Sequence, residues 1–327
     1  MPKILQKILD YLFLLRIPLL APVWTILILG WISGNQYAHF GGSFIGDNTG
    51  NSAINLWTIL IGFSLIVASI YVVNQIVDIE SDRINHKLFL LPNGIISVRT
   101  AWICAFLCAI IGIVTSFFYD GVILFLFIAG LLLGYLYNLP PFQLKNCAWG
   151  GVLANSLGHG MITFLVGWYA SKIGTTIDTQ VMVKGLLSSV APALANGAVF
   201  LATTIPDADG DQLTGKKTFC VKYGEKVTAV TAALFCFGAL GFSFFIENNF
   251  WVMAVPTIIS LLFFVSFAIF PKRDLAFKTF KWPVFLLSFS VALFVPEYGF
   301  LILATFAGSR AYYQIRFGIE YPTFKSK

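Results

Sequence analysis

The chain has 327 residues, 58% of them hydrophobic and 11% charged, and a mean hydropathy of +0.83. Soluble domains carry about 25% charged residues, so composition excludes a soluble globular protein and implies an integral membrane one. The formal net charge of +6 follows from where the basic residues lie along the chain, and no nucleic-acid partner is expected.

In chain order, apolar runs lie near 17–34, 54–78, 98–118, 121–138, 149–170, 185–206, 227–247 and 250–270. Each is close to the roughly 20 residues a helix needs to cross hydrocarbon. Between 282 and 315, Pro296-Glu297 interrupts the pattern, which reads as one crossing or two. The first run lacks a clear cleavage site and is too long for the apolar part of a leader. With the N-terminus inside, 15 of the 21 Lys and Arg fall on one side, Lys87 among them, and only Lys172 and Lys184 fall opposite. Arg310, Arg316, Lys325 and Lys327 depend on the last stretch; two crossings there make the division 19 to 2. That bias makes the basic side cytoplasmic. A multi-pass protein of an inner or plasma membrane is expected, as one domain over 1–327. The five cysteines (Cys104, Cys108, Cys147, Cys220, Cys236) imply no disulfide framework.

Two windows stand out, NQIVDIESD at 74–82 and PDADGD at 206–211. They hold six of the 15 acidic residues, Asp78, Glu80, Asp82, Asp207, Asp209 and Asp211, and each follows an apolar run. Acidic groups at membrane depth are functional candidates by default; at a span end the alternative is a solvated helix terminus. At 100° per residue, Asp78 and Asp82 lie about 40° apart and share a face with Asn74, while Glu80 points away. Asp207 and Asp211 group likewise if the helix continues past Gly210. Paired carboxylates suit Mg²⁺, which takes one or two of them and completes its octahedron with water and phosphate oxygens. Arg83, Lys145, Lys216 and Lys217 stand where a diphosphate would need cations, although the inside-positive bias also predicts basic loops here.

These residues resemble the UbiA-type family of intramembrane prenyltransferases. Its first motif, N-(D/Q)-x-x-D-x-x-x-D, is matched by Asn74, Gln75, Asp78 and Asp82. Its second, D-x-x-x-D followed by G-x-(K/R)-T, is matched by Asp207, Asp211, Gly215, Lys217 and Thr218. Between them, Y-(S/N)-x-P-P-x-x-L-K is matched by Tyr137, Asn138, Pro140, Pro141, Leu144 and Lys145. Gln75, in place of the commoner Asp, resembles the homogentisate branch. KLFLLPNG at 87–94 lacks the arginine of the family's P-x-R-P-L-x-S-G stretch, and Gln143 stands where many members have Arg.

The resemblance implies an all-α integral membrane bundle of about nine transmembrane helices, with a possible short tenth, around a central cavity open to the cytoplasmic side. It implies that Asp78, Asp82, Asp207, Asp211 and Asn74 hold Mg²⁺ on an isoprenyl diphosphate donor. An aromatic or other lipophilic acceptor, tilted by Gln75 toward a quinone or tocopherol-type precursor, then takes the prenyl group and pyrophosphate leaves. Tyr137 is placed by its motif to touch the diphosphate or the allylic cation; Asn138, Arg83, Lys145, Lys216 and Lys217 are the accompanying contacts. Asn155, His159 and Asn196 within the spans either line the acceptor pocket or hydrogen-bond between helices. Arg16 either reaches phosphate or snorkels. A cation-coupled transporter is the rival reading, but it expects carboxylates near the midplane on broken helices. A CDP-alcohol phosphotransferase would need a D-G-x-x-A-R element, which the chain lacks.

Overall fold

A computed structural model describes residues 3–42, 50–84 and 89–322; Lys87, Lys325 and Lys327 lie outside them. The protein is 79% helical, with no strands among the described residues. A short helix α1 (Lys3–Leu14) precedes α2 (Ile17–Gly34), α3 (Gly50–Val77), α4 (Ile79–Ile84), α5 (Val98–Ser116) and α6 (Gly121–Asn138). The fifth apolar run divides into α7 (Ala148–Asn155), a π-helical turn (Ser156–Ile162) and α8 (Thr163–Ala170). Then follow α9 (Thr179–Thr203), α10 (Ala208–Leu213), α11 (Phe219–Ser243), α12 (Trp251–Ile269), α13 (Arg273–Phe294) and α14 (Pro296–Phe317). Eight of these helices are long and apolar enough to cross a membrane: α2, α3 over 55–77, α5, α6, α9, α11, α12 and α13.

Local chemistry sets the boundaries. Ser97 caps α5 by accepting from the Thr100 N–H, and Asp178 caps α9 by accepting from Val181, each filling an orphan donor of the first turn. Pro296 begins α14, where its missing N–H costs nothing. The stretch 282–315 therefore forms parts of two helices, and Arg316 at the far end of α14 pairs with Asp10 of α1 (3.1 Å), so the chain doubles back to the end from which it started. In the π turn, the Thr163 N–H and hydroxyl both donate to the Gly158 carbonyl, five residues back. Glycines let backbones touch. A Cβ on Gly30 would lie 2.0 Å from the Phe164 carbonyl oxygen, and one on Gly167 1.7 Å from that of Leu27, so α2 and α8 pack main chain to main chain.

Charge is sorted between the two ends. At one end Lys172 and Lys184 meet Glu247 (3.9 and 2.6 Å), and Lys172 donates to the Gly34 carbonyl. At the other lie the acidic windows with Lys145 and Lys216.

Candidate active site

The first acidic window sits on a helix that barely breaks. Asp78 separates α3 from α4, yet its N–H donates to the Asn74 carbonyl (3.0 Å) and the Asp82 N–H donates to the Asp78 carbonyl (2.8 Å). Helical register therefore carries through, and Asn74, Asp78 and Asp82 share one face. The second window differs from a simple continuation of its span. α9 stops at Thr203, a turn intervenes, and the PDADGD carboxylates ride on the separate short helix α10, begun by Asp207 and containing Gly210. Asp211 still donates its N–H to the Asp207 carbonyl (2.9 Å), so this pair too is one turn apart.

The loops after α6 and α10 are clasped to each other. The Lys217 N–H donates to the Asn146 carbonyl (3.2 Å), and Cys147 and Lys217 form a bridge. The clasp delivers two lysines to the acidic windows. Lys145 is buried and its ammonium lies 2.8 Å from Asp78 Oδ2. Lys216 Nζ stands 3.8 Å from Asp78 Oδ1 and 3.9 Å from Asp211 Oδ1, so both windows face a single ammonium. Burial pulls the Lys145 pKa below its usual 10.5, against the opposing pull of the Asp78 carboxylate.

Below the carboxylates opens a cavity of about 190 Å³. From Asn74 to Phe63 along α3 its lining runs roughly 16 Å at 1.5 Å per residue. Its polar mouth carries Arg16, Asn74, Tyr137 and Asn138; deeper walls include Phe63, Ile66, Ile70, Leu133, Asn155, His159 and Thr163. Asn74 knits the mouth together, donating to Asp78 Oδ2 (3.0 Å) and to Asn138 Oδ1 (2.8 Å), and accepting from Arg16 Nη1 at 3.4 Å. Arg16 occupies the gap between α1 and α2 with φ 56°. The Tyr137 side chain lies beside Asn155, whose amide nitrogen is tied to the Gly151 carbonyl. His159 rides on the π turn, with its ring 5.9 Å from that of Tyr71. Its ring nitrogens have no hydrogen-bond partner among the described residues.

Three expected site residues lie elsewhere. Arg83 is exposed and turns away to Glu80 (2.8 Å) and the Pro92 carbonyl. The Lys217 side chain is exposed; only its backbone serves the clasp. Asn196 lines a second, smaller pocket. Gln75 also faces away from the cavity, donating to the Leu14 and Tyr71 carbonyls and so holding the turn that carries Arg16. Conversely, Tyr71 escaped the sequence reading although it precedes Asn74 and Asp78 by three and seven residues, on their helix face.

The donor set fits Mg²⁺. The carboxylates of Asp78, Asp82, Asp207 and Asp211 and the Asn74 amide offer hard oxygens only. Among the described residues no three His, Cys, Asp or Glu side chains group tightly enough to hold a metal unaided. That arrangement suits an ion that takes one or two carboxylates and its remaining ligands from phosphate and water. The two ammonium groups on Asp78 and Asp211 mark where positive charge is stabilised.

Known proteins bear on the same region. The chain is 29% identical over 182 residues to a probable homogentisate phytyltransferase 2 of Oryza sativa subsp. japonica, covering 53% of this chain and 48% of that protein. It is 29% identical over 174 residues to a 2-acylphloroglucinol 4-prenyltransferase of Humulus lupulus, covering 51% and 41%. The chain thus spans about half the length of the curated relatives it matches. A UbiA homolog from Archaeoglobus fulgidus, solved bound to DMAPP and Mg²⁺, superimposes with a TM-score of 0.69 at 17% identity, over 90% of this chain and 99% of that one. The model of the UbiA prenyltransferase family matches residues 37–290. Because that match takes in both acidic windows and the clasped loop between them, the chain belongs to the UbiA prenyltransferase family.

Proposed function

We propose that the protein transfers a prenyl group from an allylic isoprenoid diphosphate to a lipophilic acceptor, releasing pyrophosphate, with Mg²⁺ as cofactor. One observation carries this reading: two carboxylate windows bridged by Lys216 stand at the mouth of a cavity whose walls become apolar with depth. Bound Mg²⁺ supplies charge neutralisation for the departing diphosphate. The ligands are Asp78, Asp82, Asp207, Asp211 and Asn74. Lys145, Lys216 and Arg16 bind phosphate oxygens and stabilise the leaving group electrostatically. Asn138 holds Asn74 in place, and Tyr137 lies against the diphosphate or the allylic cation. Phe63, Ile66, Ile70 and Leu133 surround the isoprenoid chain and exclude water from the cation. As the C–O bond to diphosphate breaks, an electron-rich carbon of the acceptor forms the new C–C bond and then loses its proton.

The acceptor is an aromatic precursor of the quinone or tocopherol type. Neutral His159, beside Tyr71 and Asn155, is placed to orient a phenolic hydroxyl or to take that proton. Names of relatives, homogentisate phytyltransferase and 2-acylphloroglucinol 4-prenyltransferase among them, support an aromatic ring. The enzyme works as a single polytopic unit in an inner or plasma membrane, with its active site toward the cytoplasm. Purified protein in lipid nanodiscs, given geranylgeranyl or farnesyl diphosphate, Mg²⁺ and a panel of aromatic, tetrapyrrole and glycerol-phosphate acceptors, tests this by mass spectrometry. A prenylated aromatic product with stoichiometric pyrophosphate is expected. Absence of pyrophosphate release with every acceptor would overturn the reaction, and prenylation of a non-aromatic acceptor alone would overturn the acceptor class.

A further inference from the structure

We infer that the cavity recognises no more than the first two isoprene units of the donor, and that Phe63 and Gly130 form the floor that sets this limit. The limit presupposes the proposed prenyl transfer and specifies the chain length read within it. Phe63 on α3, Gly130 on α6 and Thr163 at the start of α8 are the lining residues farthest from the mouth on their helices. Tyr137, placed against the reacting end of the donor, stands about two turns above Gly130 on α6, roughly 10 Å. Two extended isoprene units span that length.

The floor is closed and backed by packed core. Phe63 is 2% exposed and meets the fully buried Phe127 edge to face, with ring centroids 5.2 Å apart. Leu56, Ile59, Leu60 and Ile123 continue the same core beyond it. The Thr163 hydroxyl donates to the Gly158 carbonyl and is not left to seek a ligand. Gly130 leaves a last small space. A Cβ there would meet Phe63 Cε2 at 3.5 Å and Ile162 Cγ2 at 3.6 Å. Those are ordinary contact distances, so one methyl group fits without strain and would raise the floor.

Volume gives the same limit as length. An apolar cavity of roughly 150 Å³ holds one benzene ring, or about 25 Å³ per carbon. On that scale the cavity, of about 190 Å³, encloses about seven or eight carbons. A dimethylallyl group fits whole. Part of a second unit completes the filling, with the first carbons of a geranyl chain at the mouth beside the diphosphate. A third or fourth unit finds no enclosed space. Farnesyl and geranylgeranyl donors therefore react with their outer units outside the cavity, where those units gain nothing from its walls. An acceptor ring beside His159 draws on the same space, so the limit is not relaxed during turnover.

Binding without turnover tests the limit. Full-length protein in lipid nanodiscs with Mg²⁺ is titrated with the S-thiolodiphosphate analogues of dimethylallyl, geranyl, farnesyl and geranylgeranyl diphosphate. Wild type should bind the geranyl analogue more tightly than the dimethylallyl one, with no further gain for the two longer chains. Each enclosed CH₂ is worth about fourfold in affinity. Gly130→Ala should therefore lower the geranyl-to-dimethylallyl affinity ratio about fourfold. Phe63→Ala removes a ring's volume from the floor and should raise the farnesyl-to-geranyl ratio about tenfold or more. Partitioning of free analogue into the lipid is common to wild type and variants and cancels in these comparisons. If Phe63→Ala does not fold, Gly130→Ala, which introduces no clash, still decides the matter. Mg²⁺-dependent binding with ratios unmoved by the floor substitutions would overturn the limit alone. So would a wild type that discriminates the third unit as strongly as the second. Absence of Mg²⁺-dependent binding by all four analogues would overturn the proposed reaction, and the limit with it.

Discussion

The two lysines on the acidic windows differ in kind from their neighbours in sequence, and activity measurements should separate them. Lys145 and Lys216 touch Asp78, whereas Lys217 and Arg83 point outward. Charge-assisted bonds contribute about 1.5–3 kcal/mol each, so Lys145→Ala or Lys216→Ala should lower kcat/KM roughly 10- to 150-fold. Lys217→Ala and Arg83→Ala should stay close to wild type; a large loss at Lys217 with Lys216 dispensable would refute the assignment. Asp78→Asn and Asp211→Asn should nearly abolish turnover, while Glu80→Gln and Asp209→Asn, which lose only surface pairs with Arg83 and Arg273, should be mild. The windows themselves were legible in sequence because helical spacing fixes which carboxylates share a face. The choice between Lys216 and Lys217 was not, since it depends on the clasp with Asn146, a contact between distant segments. Burial of Lys145 adds a pH signature. With its native pKa below 10.5, its ammonium is lost earlier on the alkaline side than an ordinary lysine's, and activity should fall with it. Stability moves the other way. Between the native and unfolded values the unfolded chain binds more protons, so this group's destabilising contribution fades as pH rises. Lys145→Arg should shift the alkaline limb of kcat/KM upward at a lower plateau; an unmoved limb would show that another group titrates.

Helix interruptions place the chemistry, and most of them leave only faint marks in sequence. Pro296 announces the break between α13 and α14, and Gly210 hints at trouble beyond α9, but nothing in SLGHGMI alone specifies a π turn. That turn depends on Gly160 lying against α9, where a Cβ would come 2.4 Å from Ala193 Cα and 2.7 Å from the Pro192 carbonyl oxygen. Gly160→Ala should therefore destabilise the protein by about 1–3 kcal/mol, as overpacking does, and should displace His159. Gly158→Ala is the matched control, since its Cβ would meet only Leu133 Cδ2 at 3.5 Å. Thermal unfolding in detergent, read beside the KM for the acceptor, should show both parameters worsened by Gly160→Ala and neither by Gly158→Ala. Equal behaviour of the two variants would mean that the π turn tolerates displacement. Asp10 tests a second junction. It is buried, accepting from Tyr312 (2.7 Å) and Arg316, and it fastens α1 to the end of α14. Asp10→Ala should cost about 1–3 kcal/mol, with most of the loss shared with Arg316→Ala in a double-mutant cycle.

At the scale of the whole molecule, the fold turns a linear bias in charge into two distinct ends. Hydropathy located the runs because bilayer thickness dictates their length, but it could not show that 282–315 belongs to two antiparallel helices. The Asp10–Arg316 pair makes that return visible and brings Arg316 to the end that holds Lys145 and Lys216. Lys172 and Lys184 remain at the other end with Glu247. Because cytoplasmic loops carry the excess of Lys and Arg, the end with the acidic windows should face the cytoplasm. Cys147 offers a native probe: it is the exposed cysteine among the five and sits on the clasp itself. With the other four cysteines replaced, a membrane-impermeant maleimide should modify Cys147 in inverted vesicles and leave it untouched in intact cells. Leu213→Cys, 88% exposed at the end of α10, should behave identically on a Cys-free background. Tyr37→Cys, 74% exposed beyond α2, should show the reverse pattern. Modification of Cys147 and Leu213→Cys from opposite sides would separate the two loops that the clasp joins, and a single active site fed by both acidic windows would then be untenable. Modification of both from outside intact cells would preserve the site but invert the protein in its membrane.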